Sequence, residues 1–402
     1  MVSTLNLAKQ NGGKVHFTSL AQGFRAQGHQ VDAILSTTGD RATDRHIAQQ
    51  YFHHVTFTST LLSRLIPISK TSVNSLLQTQ TALHIDPKAY DWVYFRSTPL
   101  SLSVLKALQM QGFKKIFVEH NGWFAHELVM MGFPARLKGW LEKLQTAEAQ
   151  SATRLRVVVP GIRERLLAKV QNPAELDKKL VVIGNGADVD YYRPLDRADA
   201  IATIGLNPHK RYLGFIGDLD PWQGVEVAIQ AMTTIRQQVP QAEILIVGAG
   251  RQLAPLKATY GDLDYVHFFG SVPYAQSNTY INCFDIALLP KQGLSGIGYS
   301  PIKLYTYAAA GRTILASRIR GIKEYGEEYG GAKGFITLHK PGDAADMAAQ
   351  ACQLIGDTKR CVHTATTARQ YAEAHFSWQL VADKITQTMQ AYDRQSVAEP
   401  LL

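Results

Sequence analysis

The chain has 402 residues, of which 46% are hydrophobic and 19% are charged, and its formal net charge is +9. This length favours two domains, and the composition excludes disordered and fibrous proteins. The three cysteines, Cys283, Cys352 and Cys361, are too scattered for a disulfide framework or a zinc site, which favours a reducing cytoplasm. No apolar run approaches the roughly 20 residues that span a bilayer, and the first residues lack a signal-peptide pattern, so we expect neither export nor a transmembrane segment.

The positive charge is concentrated in the first half of the chain. Residues 1–185 hold about 22 Lys and Arg against about 12 Asp and Glu, whereas the remainder is close to neutral. A basic surface of this kind attracts nucleic acid, anionic lipid or an acidic polymer, and it is equally consistent with a merely solvated face. No groove-reading helix or base-stacking motif accompanies the charge, so nucleic acid is not an expected partner.

Strand-like apolar runs alternate with helical stretches along the chain, which is the pattern of parallel sheets with helices on both faces. The predicted strands are residues 30–36, 91–96, 114–120, 155–159, 180–183, 212–216, 242–247, 266–269, 286–289, 313–316 and 334–337. Two Rossmann-like domains follow, with a seam near residues 185–194, where glycines and an aromatic-proline turn interrupt the pattern. Residues 1–5 look like the end of a first strand, so we expect an upstream start codon and a neighbouring strand that lacks part of its partner.

Two features of the first half could carry chemistry. Gly12 and Gly13 precede a helix expected to begin near Val15, whose free N–H groups could face a phosphate, although a plain turn explains them as well. His120 ends an apolar strand, and ligands gather at the carboxyl ends of strands in open α/β sheets. A structural histidine is the alternative. The carboxylates nearest in sequence to that edge are Glu119 and Glu127.

Residues 123–144 mix aromatic and aliphatic residues with Arg136, Lys138 and Lys143. Interfacial helices combine these ingredients, so the segment could dock on an anionic membrane surface. An ordinary amphipathic core helix is the equally open alternative.

The most informative motifs lie at residues 215–225, 246–250, 268–273 and 300–311. In this order and at these intervals they resemble the nucleotide-binding domain of family 4 (group 1) glycosyltransferases of the GT-B fold. The resemblance extends to Gly12 and Gly13, which look like that family's N-terminal glycine loop, to residues 185–188, which look like its interdomain turn, and to residues 376–378, which look like the start of its closing helix.

The resemblance implies an α/β protein with two Rossmann-like, doubly wound parallel-sheet domains facing across a cleft. It implies an acceptor-binding domain over residues 1–190, a nucleotide-sugar-binding domain over 191–375, and a C-terminal helix and tail over 376–402. It also implies retaining sugar transfer without a bound metal or other cofactor, because an Arg and a Lys neutralise the departing diphosphate in that family.

The charges that this mechanism needs are partly missing here. The Arg position of the family is Asp218 and its Lys position is Gln223, and two glutamates of its final motif are replaced by Gly298 and Thr306. Lys303, in the first turn of a predicted helix, could replace part of the phosphate clamp together with the helix dipole. Arg251 is a second candidate, and Thr306 could still hydrogen-bond a ribose hydroxyl.

The leading hypothesis is therefore a glycosyltransferase that moves a sugar from a nucleotide-sugar donor to a glycan or lipid-linked acceptor in cell-surface polysaccharide or glycolipid biosynthesis. The expected location is cytoplasmic, with peripheral attachment to the inner face of the plasma membrane. The alternative is a catalytically inactive GT-B protein that acts as a binding or partner subunit. The candidate residues are, for catalysis, His120 and Lys303; for donor binding, Gly12, Gly13, Gly217, Asp218, Gln223, Gly248, Arg251, Val272, Ser300, Pro301, Leu304 and Thr306; and on the acceptor side, Glu119, Asn121 and Glu127.

Overall fold

A computed structural model describes residues 1–5, 7, 12–37, 40–58, 78–130, 133–292, 300–331 and 334–398. These residues form two compact units, residues 1–184 together with 378–402, and residues 185–377. The divisions fall after Gly184 and Ser377, a few residues from the boundaries at 190 and 375 that the sequence predicts. The last helix therefore groups with the first unit, because its apolar face packs against the first helix of the chain.

The first unit contains parallel strands and the helices that connect them. Its strands are β1 (Ala33–Ser36), β2 (Val55–Thr58), β3 (Val93–Arg96), β4 (Ile116–His120), β5 (Arg154–Val157) and β6 (Leu180–Val182). Its helices are α1 (Gly12–Ala26), α2 (Arg41–Gln49), α3 (Leu102–Met110), α4 (Phe124–Met130), α5 (Lys138–Ser151), α6 (Pro160–Leu167) and α7 (Pro173–Lys178). β2 is absent from the predicted set, because its sequence Val-Thr-Phe-Thr gives too short an apolar run to stand out.

Val2 connects the two sheets of this unit. β1 pairs with β2 in one sheet, and β3, β4, β5 and β6 follow one another in a second sheet. Val2 forms parallel bridges with both Ile34 and Phe95, and its N–H donates to the Tyr94 carbonyl at 2.8 Å. Residues 1–5 thus occupy the place of a first strand, as predicted, although only one residue makes the bridges.

The second unit has one six-stranded parallel sheet. Its strands are β7 (Arg211–Ile216), β8 (Ala242–Val247), β9 (Val266–Gly270), β10 (Ile286–Leu289), β11 (Thr313–Ser317) and β12 (Ile336–His339), in the order β12-β11-β10-β7-β8-β9. Its helices are α8 (Arg197–Ile204), α9 (Val225–Gln238), α10 (Leu253–Tyr260), α11 (Tyr274–Asn282), α12 (Ile302–Ala309), α13 (Ala344–Gly356) and α14 (Thr358–His375). The chain ends with α15 (Trp378–Ala398), which lies in the first unit.

Local sequence signals explain where several helices begin and end. The Asp40 side chain accepts hydrogen bonds from the Ala42 and Thr43 N–H groups at the start of α2. At the start of α8, the Asp196 side chain accepts from the Ala198 and Asp199 N–H groups. α8 ends at Gly205, whose φ of 78° gives the left-handed conformation common after a helix. The apolar faces of the helices cover the strands, which in the second unit are almost completely buried except for the edge strand β9.

Each unit has a point where the order of its strands reverses. In the second unit, the chain runs from β7 to β8 and β9 on one side and then returns to place β10 on the other side of β7. In the first unit, Val2 has β1 on one side and β3 on the other. Ligands of open α/β sheets bind at the carboxyl ends of the strands that flank such a reversal.

The contact between α1 and α15 holds the last helix in the first unit. A Cβ atom added to Gly23 would lie 2.6 Å from Ala382 Cβ, and Gln27 donates a hydrogen bond to Asp383 at 3.0 Å. The His16 ring stacks on Trp378 with 4.8 Å between ring centroids.

We therefore expect Gly23→Val to force α15 away from α1 and to lower the free energy of unfolding by about 1–3 kcal/mol, as overpacking does. The control is Gly139→Ala in α5, where an added Cβ meets nothing within 4 Å. Urea unfolding of both variants measures the difference. An equal effect of the two substitutions would show that the α1–α15 contact is loose.

Candidate active site

The loop after β7 meets the first turn of α12 at the strand-order reversal of the second unit. Gly217 directly follows β7 and has a φ of 137°, a conformation that side chains rarely allow. A Cβ atom on Gly217 would overlap Lys303 Cε and lie 2.7 Å from Lys303 Nζ. The absence of a side chain at Gly217 thus makes room for the lysine, which places its ammonium against the loop that follows β7.

The surroundings of Lys303 are polar on one side and aromatic on the other. Its Nζ donates a hydrogen bond to Gln223 Oε1 at 3.3 Å and lies 5.2 Å from the centre of the Phe215 ring. Burial of the ammonium lowers the pKa of Lys303 to about 8, although the carboxylates of Asp218 and Asp220 oppose this shift. The Lys303 ammonium therefore lies beside the two positions, Asp218 and Gln223, at which the sequence lacks the expected cations.

Arg251 is engaged elsewhere on the same loops. Its Nε lies 3.0 Å from Asp220 Oδ1, and its guanidinium stacks over Trp222 at 5.5 Å from the ring centre. About half of its side chain is exposed. Arg251 thus neutralises Asp220, and its predicted part in a phosphate clamp would require it to leave that carboxylate.

Most of the other predicted donor-binding residues of the second unit make contacts that support the fold. Gly248 has a φ of 135°, and a side chain there would overlap the Gly217 carbonyl, so the loops after β7 and β8 need this glycine to approach each other. The Thr306 hydroxyl donates to the Ile302 carbonyl at 2.9 Å inside α12, which leaves it only as an acceptor for a ribose hydroxyl. Leu304 is fully buried in the core, Val272 packs against the same core, and Pro301 precedes the first residue of α12.

Two further predicted positions lie in or next to a part of the chain that the structure does not describe. Gly298 lies outside the described residues. Ser300 follows that segment, and its hydroxyl is buried without a hydrogen-bond partner among the described residues.

In the first unit, the carboxylate of Glu119 is the centre of a buried cluster. Its Oε2 accepts hydrogen bonds from Arg156 Nη1 at 2.7 Å, from His16 Nε2 at 3.1 Å and from the Tyr94 hydroxyl. Burial alone would raise the pKa of Glu119, but His16 and Arg156 outweigh burial and hold the pKa well below its usual range. The Glu119 side chain is fully buried and is not presented to an acceptor in this arrangement, and its acceptor-side role stays a prediction.

His16 links this cluster to Asn121. Burial lowers the pKa of His16 to about 4 despite the nearby Glu119 carboxylate, so the imidazole is neutral at physiological pH. Because its Nε2 faces a carboxylate, that atom carries the proton, and Nδ1 accepts from Asn121 Nδ2 at 2.9 Å. Asn121 is partly exposed at the carboxyl end of β4, and the Glu127 carboxylate lies against Gly122, so these two predicted acceptor-side residues do lie at the same sheet edge.

His120 lies at the expected sheet edge, but its side chain has no exposed surface. Its Nε2 lies 3.1 Å from Glu148 Oε1, and the second oxygen of Glu148 accepts from the Ser101 hydroxyl at 2.6 Å. Contact between His120 and a sugar is therefore not available in this arrangement, and its catalytic role stays a prediction.

The predicted glycine loop differs from expectation in one respect. Gly12 and Gly13 form the first turn of α1 instead of preceding it. The Gly13 carbonyl accepts a hydrogen bond from Arg96 Nη1 at 3.0 Å. Sequence reasoning missed Arg96, His16, Arg156 and Glu148, since none of them belongs to a recognised motif.

Two family models match successive parts of the chain. The model described as Glycosyltransferase Family 4 matches residues 10–191, and the model described as Glycosyl transferases group 1 matches residues 210–357. The two matches follow each other in the order that the sequence motifs predict. The chain belongs to the family 4, group 1 glycosyltransferases.

Individual relatives are distant. A D-inositol 3-phosphate glycosyltransferase of Nocardia farcinica is 24% identical, with 94% of this chain and 88% of the relative covered. One of the same name from Segniliparus rotundus is 28% identical, but the match covers only 36% of this chain and 33% of that protein. The crystal structure of Anabaena HepE in complex with UDP and glucose superposes with a TM-score of 0.72 at 17% identity, over 97% of this chain and 98% of HepE. This likeness shows that the chain has the GT-B fold.

The Glu119 cluster yields a stability prediction. Arg156→Gln would leave a buried carboxylate without its strongest partner, so we expect the free energy of unfolding to fall by about 3–5 kcal/mol. The matched control is Arg163→Gln, which breaks a pair with Asp177 in which both side chains are more than a third exposed. Chemical denaturation of both variants tests this expectation, and similar losses would mean that burial of the cluster has no special importance.

Proposed function

We propose that this protein is a retaining glycosyltransferase that transfers a sugar from a nucleotide-sugar donor to a glycan or lipid-linked acceptor, in the synthesis of a cell-surface polysaccharide or glycolipid. The observation that carries the proposal is the position of Lys303 Nζ, next to Gly217 and Gln223. A cation at this place can stabilise the charge that grows on a departing diphosphate. No metal or other cofactor is part of the proposal.

The comparisons support a nucleotide diphosphate as the leaving group. The HepE crystal structure contains UDP and glucose, and a Corynebacterium relative, 25% identical over 52% of this chain, is named as a GDP-mannose-dependent mannosyltransferase that acts on an acylated phosphatidylinositol mannoside. The shared chemistry is a sugar pyrophosphate on one side and a hydroxyl acceptor on the other.

Lys303 gives this proposal a specific test. Lys303→Met removes the charge but keeps most of the stem, and we expect the affinity for UDP or GDP to fall about 10- to 100-fold, the value of one charge-assisted hydrogen bond. Lys257→Met, at an exposed lysine of α10, should leave the affinity unchanged. Calorimetric titration with UDP and GDP measures the affinities of both variants.

The same lysine predicts a pH dependence. Because the pKa of Lys303 is about 8 in the free protein, binding of a diphosphate above that pH requires uptake of a proton. Affinity should therefore fall as the pH rises through about 8, and Lys303→Arg should remove the decline because Arg stays charged.

Equal affinity of the wild type and of Lys303→Met for UDP or GDP would show that Lys303 does not take part in donor binding. If the wild type binds none of the nucleotide diphosphates, the inactive binding or partner subunit becomes the better account. The acidic Asp218 and the neutral Gln223 at the two cation positions favour that alternative.

We further propose peripheral attachment to an anionic membrane surface through the start of α5. Trp140 is 48% exposed there, and Arg136 and Lys143 are exposed close to it in sequence. No helix among the described residues is long and apolar enough to cross a membrane. The segment 123–144 is not one amphipathic helix, because the described part consists of α4, the 3-10 turn Ala135–Leu137 and α5.

Trp140→Ser combined with Lys143→Gln should weaken binding to vesicles that contain phosphatidylglycerol by about fivefold or more, since one basic residue near such a surface contributes about 1 kcal/mol. Lys178→Gln, which changes an exposed lysine of α7, is the control. Sedimentation with vesicles measures the partition. Binding that depends equally on Lys178 would point to charge alone, and no binding by the wild type would end this part of the proposal.

A further inference from the structure

The side chain of Tyr307 joins α12 to the end of β7. Tyr307 is fully buried, and its hydroxyl accepts a hydrogen bond from the Ile216 N–H at 3.1 Å. Ile216 is the last residue of β7 and directly precedes Gly217. A hydroxyl of α12 thus contacts the strand immediately before the glycine that makes room for Lys303.

This hydrogen bond replaces a bond between strands. Among the described residues, the pairing of β7 with β10 ends at Gly214, two residues before Ile216. The Gly217 N–H donates to the Val247 carbonyl of β8 at 2.9 Å, so the preceding N–H, that of Ile216, is directed to the β10 side. A backbone N–H needs an acceptor, and here the acceptor is the Tyr307 hydroxyl.

The packing of the Tyr307 ring determines where the hydroxyl lies. A Cβ atom on Gly214 would overlap the Phe284 ring, so this glycine allows Phe284 to pack against β7. The rings of Phe284 and Tyr307 then meet edge to face, with 6.4 Å between their centroids. Burial raises the pKa of Tyr307 above its usual range, so the hydroxyl stays uncharged and can accept the N–H.

Tyr307 and Lys303 lie on the same face of α12. They are four residues apart, and side chains at this spacing lie one above the other on a helix. Among the described residues, a single hydrogen bond, to Gln223 Oε1 at 3.3 Å, holds the Lys303 ammonium. A rotation or slide of α12 that broke the Tyr307 bond would therefore also move the lysine stem relative to Gly217.

We propose that Tyr307 is a positioning residue for Lys303, and this inference rests on the proposed function. The Tyr307 hydroxyl fixes α12 against the end of β7. This contact keeps the Lys303 ammonium beside the loop after β7, where it can stabilise the charge of a departing diphosphate. Tyr307 acts only through the lysine and does not touch the ligand.

Removal of the hydroxyl alone tests this role in the full chain. Tyr307→Phe keeps the ring that packs against Phe284 but leaves the Ile216 N–H without its acceptor. The matched control is Tyr212→Phe, near the amino end of the same strand. The Tyr212 hydroxyl also belongs to a buried side chain and also accepts a backbone N–H, that of Asn207 at 3.0 Å.

The measurements are amide exchange at Ile216 by NMR, the pKa of Lys303 in the free protein from its ¹³Cε chemical shift, and the affinity for UDP and GDP by calorimetry. We expect Tyr307→Phe to speed the exchange and to weaken nucleotide binding about fivefold each, the effect of one neutral hydrogen bond. The pKa of Lys303 should rise from about 8 toward that of an exposed lysine, because a displaced ammonium is better hydrated. Tyr212→Phe should change none of the three quantities.

Faster exchange at Ile216 with an unchanged pKa of Lys303 would overturn the inference, because the hydroxyl would then hold the strand but not the lysine. Unchanged exchange in Tyr307→Phe, or the same rise of the pKa in Tyr212→Phe, would also contradict it. A raised pKa with wild-type affinity would show that the position of the lysine does not matter to the ligand. Failure of the wild type to bind any nucleotide would instead contradict the proposed function, and the pKa in the free protein would still show whether Tyr307 positions Lys303.

Discussion

The close approach of Lys303 to Gly217 is the constraint on which the proposed function of the second unit depends. Any side chain at Gly217 would overlap the lysine stem, and the positive φ of this residue disfavours one in any case. The chain can therefore place an ammonium beside Gln223 although the loop itself carries no cation. In the function proposed here, a charge supplied by α12 takes the place of the charges that the resemblance implies for the loop after β7. A positive charge stabilises a departing diphosphate according to where the charge lies in space, whichever sequence position supplies it.

The first unit uses a buried charge for a different purpose. Glu119 binds groups from α1, β3 and β5, so one carboxylate fixes three elements where their polar ends meet. Removing a charge from water is costly unless its partners compensate, and the buried Arg156 guanidinium, 2.7 Å from the carboxylate, is one of these partners. The result is a rigid base for the residues at the sheet edge, among them Asn121 and the first turn of α1. Both units thus gather polar groups at the reversal point of a parallel sheet, which is where such sheets bind ligands.

The alternation of apolar runs predicted the parallel sheets of both units well, because buried parallel strands are continuous apolar segments. β2 was missed, since a short mixed run such as Val-Thr-Phe-Thr does not differ enough from a loop. Lys303 was found from a motif and lies where the motif predicts, in the first turn of α12. Arg96 and Glu148 could not be predicted as members of the buried polar clusters. Their contacts depend on which strand ends and helices meet in the fold, and the local sequence spacing gives no sign of this. The same reason made Glu119 look available to a ligand when it is enclosed.

The most direct test of the central claim is the pKa of Lys303 itself, followed by the ¹³Cε chemical shift in protein labelled at lysine and assigned with Lys303→Met. We predict a pKa near 8 in the free protein and a rise of about one unit or more when UDP or GDP is bound, because an opposite charge close to an ammonium favours its protonated form. A pKa that stays the same while the nucleotide binds would show that the diphosphate lies away from Lys303, and the donor site would then not be where α12 meets the loop after β7.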